Sequence, residues 1–358
     1  MNFIFFTKTN WNEPPRIRHQ LALMLAEAGH KIIFYEKPAF LANLGKARKI
    51  RNIEFKRTAY LVHHQLRVQN FLGLINSWFE QWSIRNSAVF SSDKDIILNF
   101  NYDYFFLRNI FPKNKIITII NDDFQSQARF NNGKHVSQAI KRTSLISDIF
   151  LTVSEPLQKK LSQYKECNLL LPWADCQVFK PKKFNLKQNT LLIWGYIDRR
   201  IDFNFLQKSI EENSNYKFLI VGPISKNVQT DITEIERNFK NVQVLEPHDL
   251  NQLPLDQILC AFIPYKRNTE FGQSVTILNK GFQLLAARLP LIIRGMPNFL
   301  KSGCIFDVAD NDDISQVLAN IEENYDELQN DISSLIDQNS REKRYKQLMR
   351  YIESTNVI

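Results

Sequence analysis

The stretch that decides the fold reads SDIFLTVSEPLQKKL over residues 147–161 and runs on as LLLPWADCQVFKP to Pro181. An apolar strand over 149–153 stops at Ser154, whose hydroxyl suits the first free N–H groups of a helix. An amphipathic helix follows, then a second apolar strand over 169–171. A tight Pro172-Trp173-Ala174-Asp175 turn and a Phe179-x-Pro181 exit lead into a lysine-rich linker. Strand, capped helix and strand ending in a linker is how one α/β domain hands over to another. The alternation restarts with a strand over 191–194. The sequence therefore predicts two α/β domains, 1–180 and 181–340, with a last helix within 341–358 returning to the first.

Working outward, the first domain begins with a strand over 3–6, a helix over 16–28 closed by Gly29, and a strand over 31–35, a βαβ start. An irregular basic stretch over 46–67 and an aromatic helix over 70–85 come next. Strands over 96–99 and 115–120 follow, with helices near Tyr104 and Ser137. The second domain continues with a helix over 203–212, a strand over 217–221, a helix over 231–239 and strands over 242–245 and 257–264. A helix over 276–287, a strand over 290–294 and a short strand over 304–306 complete it. Wholly apolar strands such as FLIV and LLIW fit parallel sheets covered on both faces.

Composition sets the bounds. A chain of 358 residues suits two cores better than one. It is 44% hydrophobic and 23% charged, and no apolar run approaches the roughly 20 residues that span a bilayer. FIFFTKTNW at the start reads as a strand and lacks the features of a signal peptide. The four cysteines are scattered with no C-x-x-C spacing, which predicts reduced thiols and a cytoplasmic protein. Charge is uneven. Up to Lys183 there are 27 Lys and Arg against 14 Asp and Glu, and beyond it 19 against 23. The net +9 belongs to the first domain, which should attract phosphates or an anionic surface.

Several functions are set aside by what is missing. Among ten glycines there is neither G-x-G-x-x-G after a first strand nor G-x-x-x-x-G-K-[ST], which argues against a dehydrogenase or a P-loop NTPase. His and Cys are dispersed, and His63 and His64 are adjacent rather than one helical turn apart, so no metal site is expected. Nothing resembles a nucleic-acid recognition element, and no nucleic-acid partner is expected.

What remains resembles the GT-B glycosyltransferases, in particular bacterial enzymes of the family 4 type that build polysaccharides, along nearly the whole chain. The resemblance is carried by WNEPPRIRHQLALMLAEAGHKIIFYEKP, NYDYFFLRNI, INDDF, SDIFLTVSEPLQKKL and PWADCQVFKP in the first domain. WGYIDRRIDFNFL, FLIVGP, NVQVLEPHDLNQLP and FIPYKRN carry it in the second. It implies two Rossmann-like domains with parallel sheets facing across a cleft, the acceptor bound by the first and a nucleotide sugar by the second. It implies transfer of a sugar from a UDP- or GDP-linked donor to a glycan or lipid-linked acceptor, without a metal or other cofactor.

The donor-binding candidates are Gly195, Arg199, Arg200, Gly222, Pro247, Tyr265, Glu270, Lys280 and Gln283. Gly195 and Gly222 each end a strand, where the lack of a Cβ lets backbone approach a ligand; the plainer reading is that each makes its turn. Arg199, Arg200 and Lys280 suit the charge of a departing diphosphate, or the arginines are solvated surface. Glu270, with Phe271 and Gly272, resembles the family's sugar-contacting loop; Pro247 and Tyr265 lie in matching segments. The segment EFGQSVTILNKGFQLLAARLPLI departs from the family twice. Aligned on Pro290, Lys280 keeps the family's Lys, but Gln283 stands for a Glu and Arg288 for a Gly. Gln283 can still accept a hydrogen bond, without a charge to strengthen it.

On the acceptor side, Asp122 and Asp123 follow a strand and could take the acceptor hydroxyl proton, or cap a turn. Arg16, His19 and Asp103 are the acceptor-binding candidates. The basic stretch with Lys46, Arg48, Lys49, Arg51, Lys56, Arg57 and Arg67 is opposed only by Glu54. It precedes Phe71, Leu72, Leu74, Ile75, Trp78, Phe79 and Trp82, which suits docking on the inner face of an anionic membrane; periodicity alone reads that helix as packed on the core. Two rivals to a transferase stand beside it. One is a nucleotide-sugar epimerase of the same shape, the other a non-catalytic sugar-nucleotide or glycan-binding subunit favoured by Gln283 and Arg288.

Overall fold

Apolar runs at strand spacing build two sheets, one in each of the two units into which the chain divides. These units are Met1–Leu171 with Arg344–Ile358, and Pro172–Lys343. The computed structural model describes residues 1–13, 15–40, 48–60, 70–87, 92–128, 132–174, 178–185, 188–308 and 313–354, with backbone only at 40, 60, 70–74 and 87. His63, His64, Lys46, Arg67, Asp175 and Cys176, and the side chains of Phe71, Leu72 and Leu74, lie outside that description.

The first unit holds strands β1 (Asn2–Phe6), β2 (Lys31–Phe40), β3 (Arg48–Ile50), β4 (Ile53–Tyr60), β5 (Ile96–Asn99), β6 (Lys115–Ile120), β7 (Ile149–Thr152) and β8 (Asn168–Leu169). They lie in the order β3-β4-β2-β1-β5-β6-β7-β8, parallel except for the β3–β4 pair. The second unit holds β9 (Thr190–Trp194), β10 (Lys217–Val221), β11 (Val242–Leu245), β12 (Ile258–Pro264), β13 (Leu291–Arg294) and β14 (Ile305–Asp307). Their order is β11-β10-β9-β12-β13-β14, all parallel. Both chains of strands start in the middle of the sheet, run to one edge and then resume on the other side of the first strand. The order reverses between β1 and β5 in one unit and between β9 and β12 in the other. Crevices at the carboxyl ends of strands at such reversals are where open α/β sheets bind ligands.

Burial on both faces explains the apolar strands. In β10, Phe218, Ile220 and Val221 are fully buried, and Leu191 and Leu192 of β9 match them. Each such side chain contributes roughly 1.5–3 kcal/mol by leaving water. Ser154 caps the helix Glu155–Leu161, its hydroxyl accepting the Leu157 N–H at 3.3 Å.

The structure departs from the sequence reading in four places. The basic stretch is not irregular: β3 and β4 form a hairpin-like antiparallel pair, and β4 runs parallel to β2. Strand periodicity there was hidden because β4 alternates buried Ile53 and Phe55 with charged Glu54 and Lys56. Near Tyr104 the helix is only Leu107–Ile110, Tyr104 itself being a core residue. The segment 172–181 belongs to the second unit. Trp173 is fully buried, the Phe179 N–H bonds to Ala286 O at 2.9 Å, and the Phe179 carbonyl accepts from Arg288 Nε at 2.7 Å. Helices Ile314–Glu323 and Tyr325–Gln338 lie in a region the reading left blank.

The helix Asn70–Ser87 has an unusual polarity. Asn76, Glu80, Ser83 and Ile84 are buried, and Ser83 Oγ accepts the Ala59 N–H of β4 at 3.0 Å. Trp78 and Trp82, one turn apart, are 65% and 48% exposed. Trp78 and Trp82 therefore do not lie on the core face that periodicity suggests. The cations before the helix are largely answered. Buried Glu36 accepts from Arg48 at 2.8 Å and Arg57 at 3.1 Å, Arg51 meets Glu27 and Lys56 meets Glu54. Among the described residues, no helix is long and apolar enough to cross a membrane.

Replacing Ser154 with Ala is expected to lower the unfolding free energy by about 1 kcal/mol, the usual worth of a helix cap. Urea denaturation followed by tryptophan fluorescence checks it, and an unchanged midpoint would show the cap to be idle.

Candidate active site

In the second unit the candidate donor residues gather at the carboxyl ends of β9, β10 and β12. Gly195 follows β9 with φ 106° and Gly222 follows β10 with φ 145°, both in the region that favours glycine. A Cβ on Gly222 would stand 2.0 Å from Gly195 O, so the two strand ends meet backbone to backbone. Lys280 is the second residue of the helix Asn279–Ala286 and is half-buried. Its ammonium donates to Trp194 O at 3.2 Å and lies 5.0 Å from the centroid of the Tyr265 ring. Its stem runs 3.3 Å from where a Gly195 Cβ would be. One cation thus sits at the reversal between β9 and β12, touching the end of each strand. Among the described residues no carboxylate pairs with it.

Arg200 reaches the same ring. Its guanidinium lies 5.4 Å from the Tyr265 centroid and 5.2 Å from that of Phe271, and its Nε donates to Asp198 at 2.9 Å. The Arg200 carbonyl accepts the Lys266 N–H at 2.8 Å, which fixes this loop to the end of β12. Arg199 is exposed and forms no ion pair among the described residues. Glu270 is exposed on the first turn of the short helix Glu270–Gln273, capped by Thr269. Pro247 is exposed beyond β11, beside His248, whose carbonyl accepts from Trp194 Nε1 at 2.9 Å. Gln283 is half-buried one turn after Lys280, its side-chain amide without a hydrogen bond among the described residues.

Arg288 explains itself structurally. Its φ is 65°, one residue beyond the C-cap of the helix Asn279–Ala286, a position that glycine commonly fills. A residue with a Cβ there is strained by about 1–2 kcal/mol. Its guanidinium is spent on Phe179 O at 2.7 Å and Ser333 Oγ at 2.6 Å, and it is 7% exposed. It is a brace for the helix end, remote in role from any ligand.

In the first unit the loops after β1, β5 and β6 carry the acceptor candidates. Asp123 is fully engaged: Lys160 Nζ lies 2.9 Å from both its oxygens, and Oδ1 accepts the Ser126 N–H at 3.2 Å. Asp122 has one side-chain hydrogen bond, from Gln127 Nε2 at 2.6 Å. Burial raises its carboxyl above the ordinary range, opposed by that bond and by the charges of Arg18 and Arg16. Of the two, Asp122 is the one equipped to take a proton. Asp103 pairs with Lys8 at 2.5 Å across the β1–β5 reversal. His19 is buried with both ring nitrogens used. Nδ1 accepts the Arg16 N–H at 3.0 Å, so Nε2 carries the proton and donates to Asn10 O at 3.2 Å. Burial lowers its pKa, and it braces the start of the helix Ile17–Glu27, leaving no nitrogen for an acceptor. Arg16 is exposed, with Glu13 at 3.7 Å.

The sequence reading passed over Arg18 and Lys160. Lys160 lay in view as the last cation of the capped helix; a carboxylate partner 37 residues earlier in the chain is visible only in three dimensions.

No protein-family model matches the chain, and no curated protein matches it in sequence. Solved structures do match. Sucrose-phosphate synthase from Thermosynechococcus elongatus superposes with a TM-score of 0.70 at 11% identity, covering 99% of both chains. The UDP-forming α,α-trehalose-phosphate synthase of Burkholderia xenovorans, in complex with glucose-6-phosphate, gives 0.68 at 10% identity over 98% of this chain and 99% of its own. The lipopolysaccharide outer core galactosyltransferase WaaB gives 0.65 at 11% identity over 99% of both.

Asp122→Asn is expected to stabilise the protein near neutral pH. Because the folded-state pKa is raised, the charged form costs stability once pH climbs through the carboxylate range, and the amide escapes that cost. The gain in Tm over wild type should be present at about pH 7 and shrink toward about pH 4, near the ordinary carboxylate value. Thermal unfolding across pH checks it; a gain independent of pH would remove the burial argument. The likeness to these neighbours is one of fold, and the chain has the two-domain α/β architecture of the GT-B glycosyltransferases.

Proposed function

We infer that the protein is a glycosyltransferase that moves a sugar from a nucleoside diphosphate to an acceptor hydroxyl. The observation that carries this reading is Lys280, a cation without a carboxylate partner among the described residues, placed at the strand-order reversal of the second unit beside Gly195 and the Tyr265 ring. A departing nucleoside diphosphate accumulates negative charge, and a preset cation in a shielded place stabilises it as it forms. Lys280, with Arg200 at the same Tyr265 ring and Arg199 next to Arg200 in the chain, supplies that charge without a metal. Gln283 accepts a ribose hydroxyl, and the exposed loop with Glu246, Pro247 and His248 offers backbone groups to the base. Glu270 meets the sugar. The donor is UDP- or GDP-linked, the UDP choice favoured by the UDP-forming relative in fold.

The first unit binds the acceptor, with Asp122 as the base. Its raised carboxyl holds the acceptor proton better than an exposed aspartate does. Asp123 keeps the loop in place through Lys160. The acceptor is a glycan or a lipid-linked precursor of a surface polysaccharide. The exposed pair Trp78 and Trp82 supports docking at a membrane interface, where indole rings settle at headgroup level. Since most of the neighbouring cations are already ion-paired, this docking rests on the tryptophans more than on charge.

Lys280→Ala is expected to weaken UDP binding about 10- to 100-fold, the loss of one charge-assisted contact, while Arg288→Gly leaves it unchanged. Calorimetry on both variants decides; equal affinity in Lys280→Ala and wild type would take the diphosphate away from this site. The double variant Trp78→Ser/Trp82→Ser should lose flotation with phosphatidylglycerol-containing liposomes. Flotation of the wild type should persist at about 0.5 M salt, where the Debye length is under 5 Å. Salt-sensitive binding that the double variant retains would return the role to the cations.

A further inference from the structure

Arg18 is the second residue of the helix Ile17–Glu27 and is 6% exposed. Its Nε is buried without a hydrogen-bond partner, and it forms no ion pair among the described residues. It senses the charges of Asp122 and Glu13 without contacting either as an ion pair, and burial lowers its pKa to about 10. A guanidinium whose Nε is buried without an acceptor is costly to a fold and persists where something outside the chain completes it. At the same carboxyl edge of the sheet, Thr9 Oγ1 after β1 and Asn121 Oδ1 after β6 are also buried without a partner among the described residues. Two donors and one acceptor are thus left open at this edge of the sheet, and of these Arg18 is the one whose charge couples to Asp122. Arg16, exposed and only loosely held by Glu13 at 3.7 Å, adds a second cation at the helix start.

We propose that Arg18 is the centre of an oxyanion subsite for the acceptor, binding a phosphate or carboxylate carried by the sugar whose hydroxyl is presented to Asp122. A planar guanidinium matches both anions through paired N–H donors. This subsite deepens the transferase reading and rests on it for the word acceptor; the binding of the anion does not depend on that reading.

The test uses full-length protein in a Lys280→Ala background, so that the cation of the second unit does not contribute. Inorganic phosphate and glucuronate are titrated separately by calorimetry against this protein and against the same protein carrying Arg18→Gln. Saturable binding of at least one anion, weakened tenfold or more by Arg18→Gln, is the expected result. Preference for phosphate assigns a phosphorylated acceptor, and preference for glucuronate a uronate. Absence of binding by both anions, or binding that Arg18→Gln keeps, overturns the subsite. A second variant guards against a merely structural role. Arg18→Met, which keeps the stem and removes the buried charge, should raise or preserve the ligand-free Tm; a lowered Tm would mean that the charge serves the fold and would overturn the proposal. UDP binding by the Arg18 variants without Lys280→Ala is followed in parallel, so that loss of the nucleotide reading is seen apart from loss of the anion site.

Discussion

The organising contact is the one between Lys280 and the end of β9. A parallel sheet aligns its carbonyls and ends its strands on one edge, and the reversal of strand order between β9 and β12 leaves room there. Lys280 fills part of that room with an ammonium held by a backbone carbonyl at 3.2 Å and an aromatic face at 5.0 Å. Neither partner carries a charge, so the cation keeps most of its attraction for an anion. The glycines follow from this placement. Gly195 must turn at φ 106° just where the Lys280 stem passes, and Gly222 must lie against Gly195 O. Any side chain there would close the edge that the cation needs open.

Most of the architecture was legible because burial writes itself into sequence. TLLIW, KFLIV and ILCAFIP are apolar throughout, since both faces of a parallel sheet are covered, and the structure has strands at each. Ser154 announced its helix by chemistry alone. The failures share a cause: partners distant in sequence. β4 joins the sheet through β2, with charged Glu54 and Lys56 on its second face, so its local pattern read as a basic loop. Among the described side chains, the helix Asn70–Ser87 buries the polar Asn76, Glu80 and Ser83 beside Ile84, a face that hydrophobic periodicity does not find.

The site was legible in part, and for reasons that differ by residue. Lys280 was found through its spacing to Pro290, and the structure gives it a chemical setting. Arg288, suspected as a departure from a donor-binding motif, proves to be a helix-end brace that tolerates a positive φ through two hydrogen bonds. Asp122 and Asp123 are adjacent and identical in type, so sequence alone left them equal. Lys160 separates them by pairing with Asp123 and leaving Asp122 with neutral hydrogen-bond donors alone, the Gln127 amide and the Asp123 N–H. The net charge of the first domain was also misleading as a guide to its surface, because Glu36 and Glu27 quench much of it locally.

The most direct measurement is turnover of a panel of nucleotide sugars by the purified full-length protein without added metal, with the released nucleoside diphosphate followed by mass spectrometry. Slow release of one diphosphate, UDP or GDP, from its own sugar nucleotide is the expected result, because water can replace a missing acceptor. A protein that binds a nucleotide sugar yet never releases its diphosphate, with or without a glycan extract, would contradict the transferase account and leave a binding protein in its place.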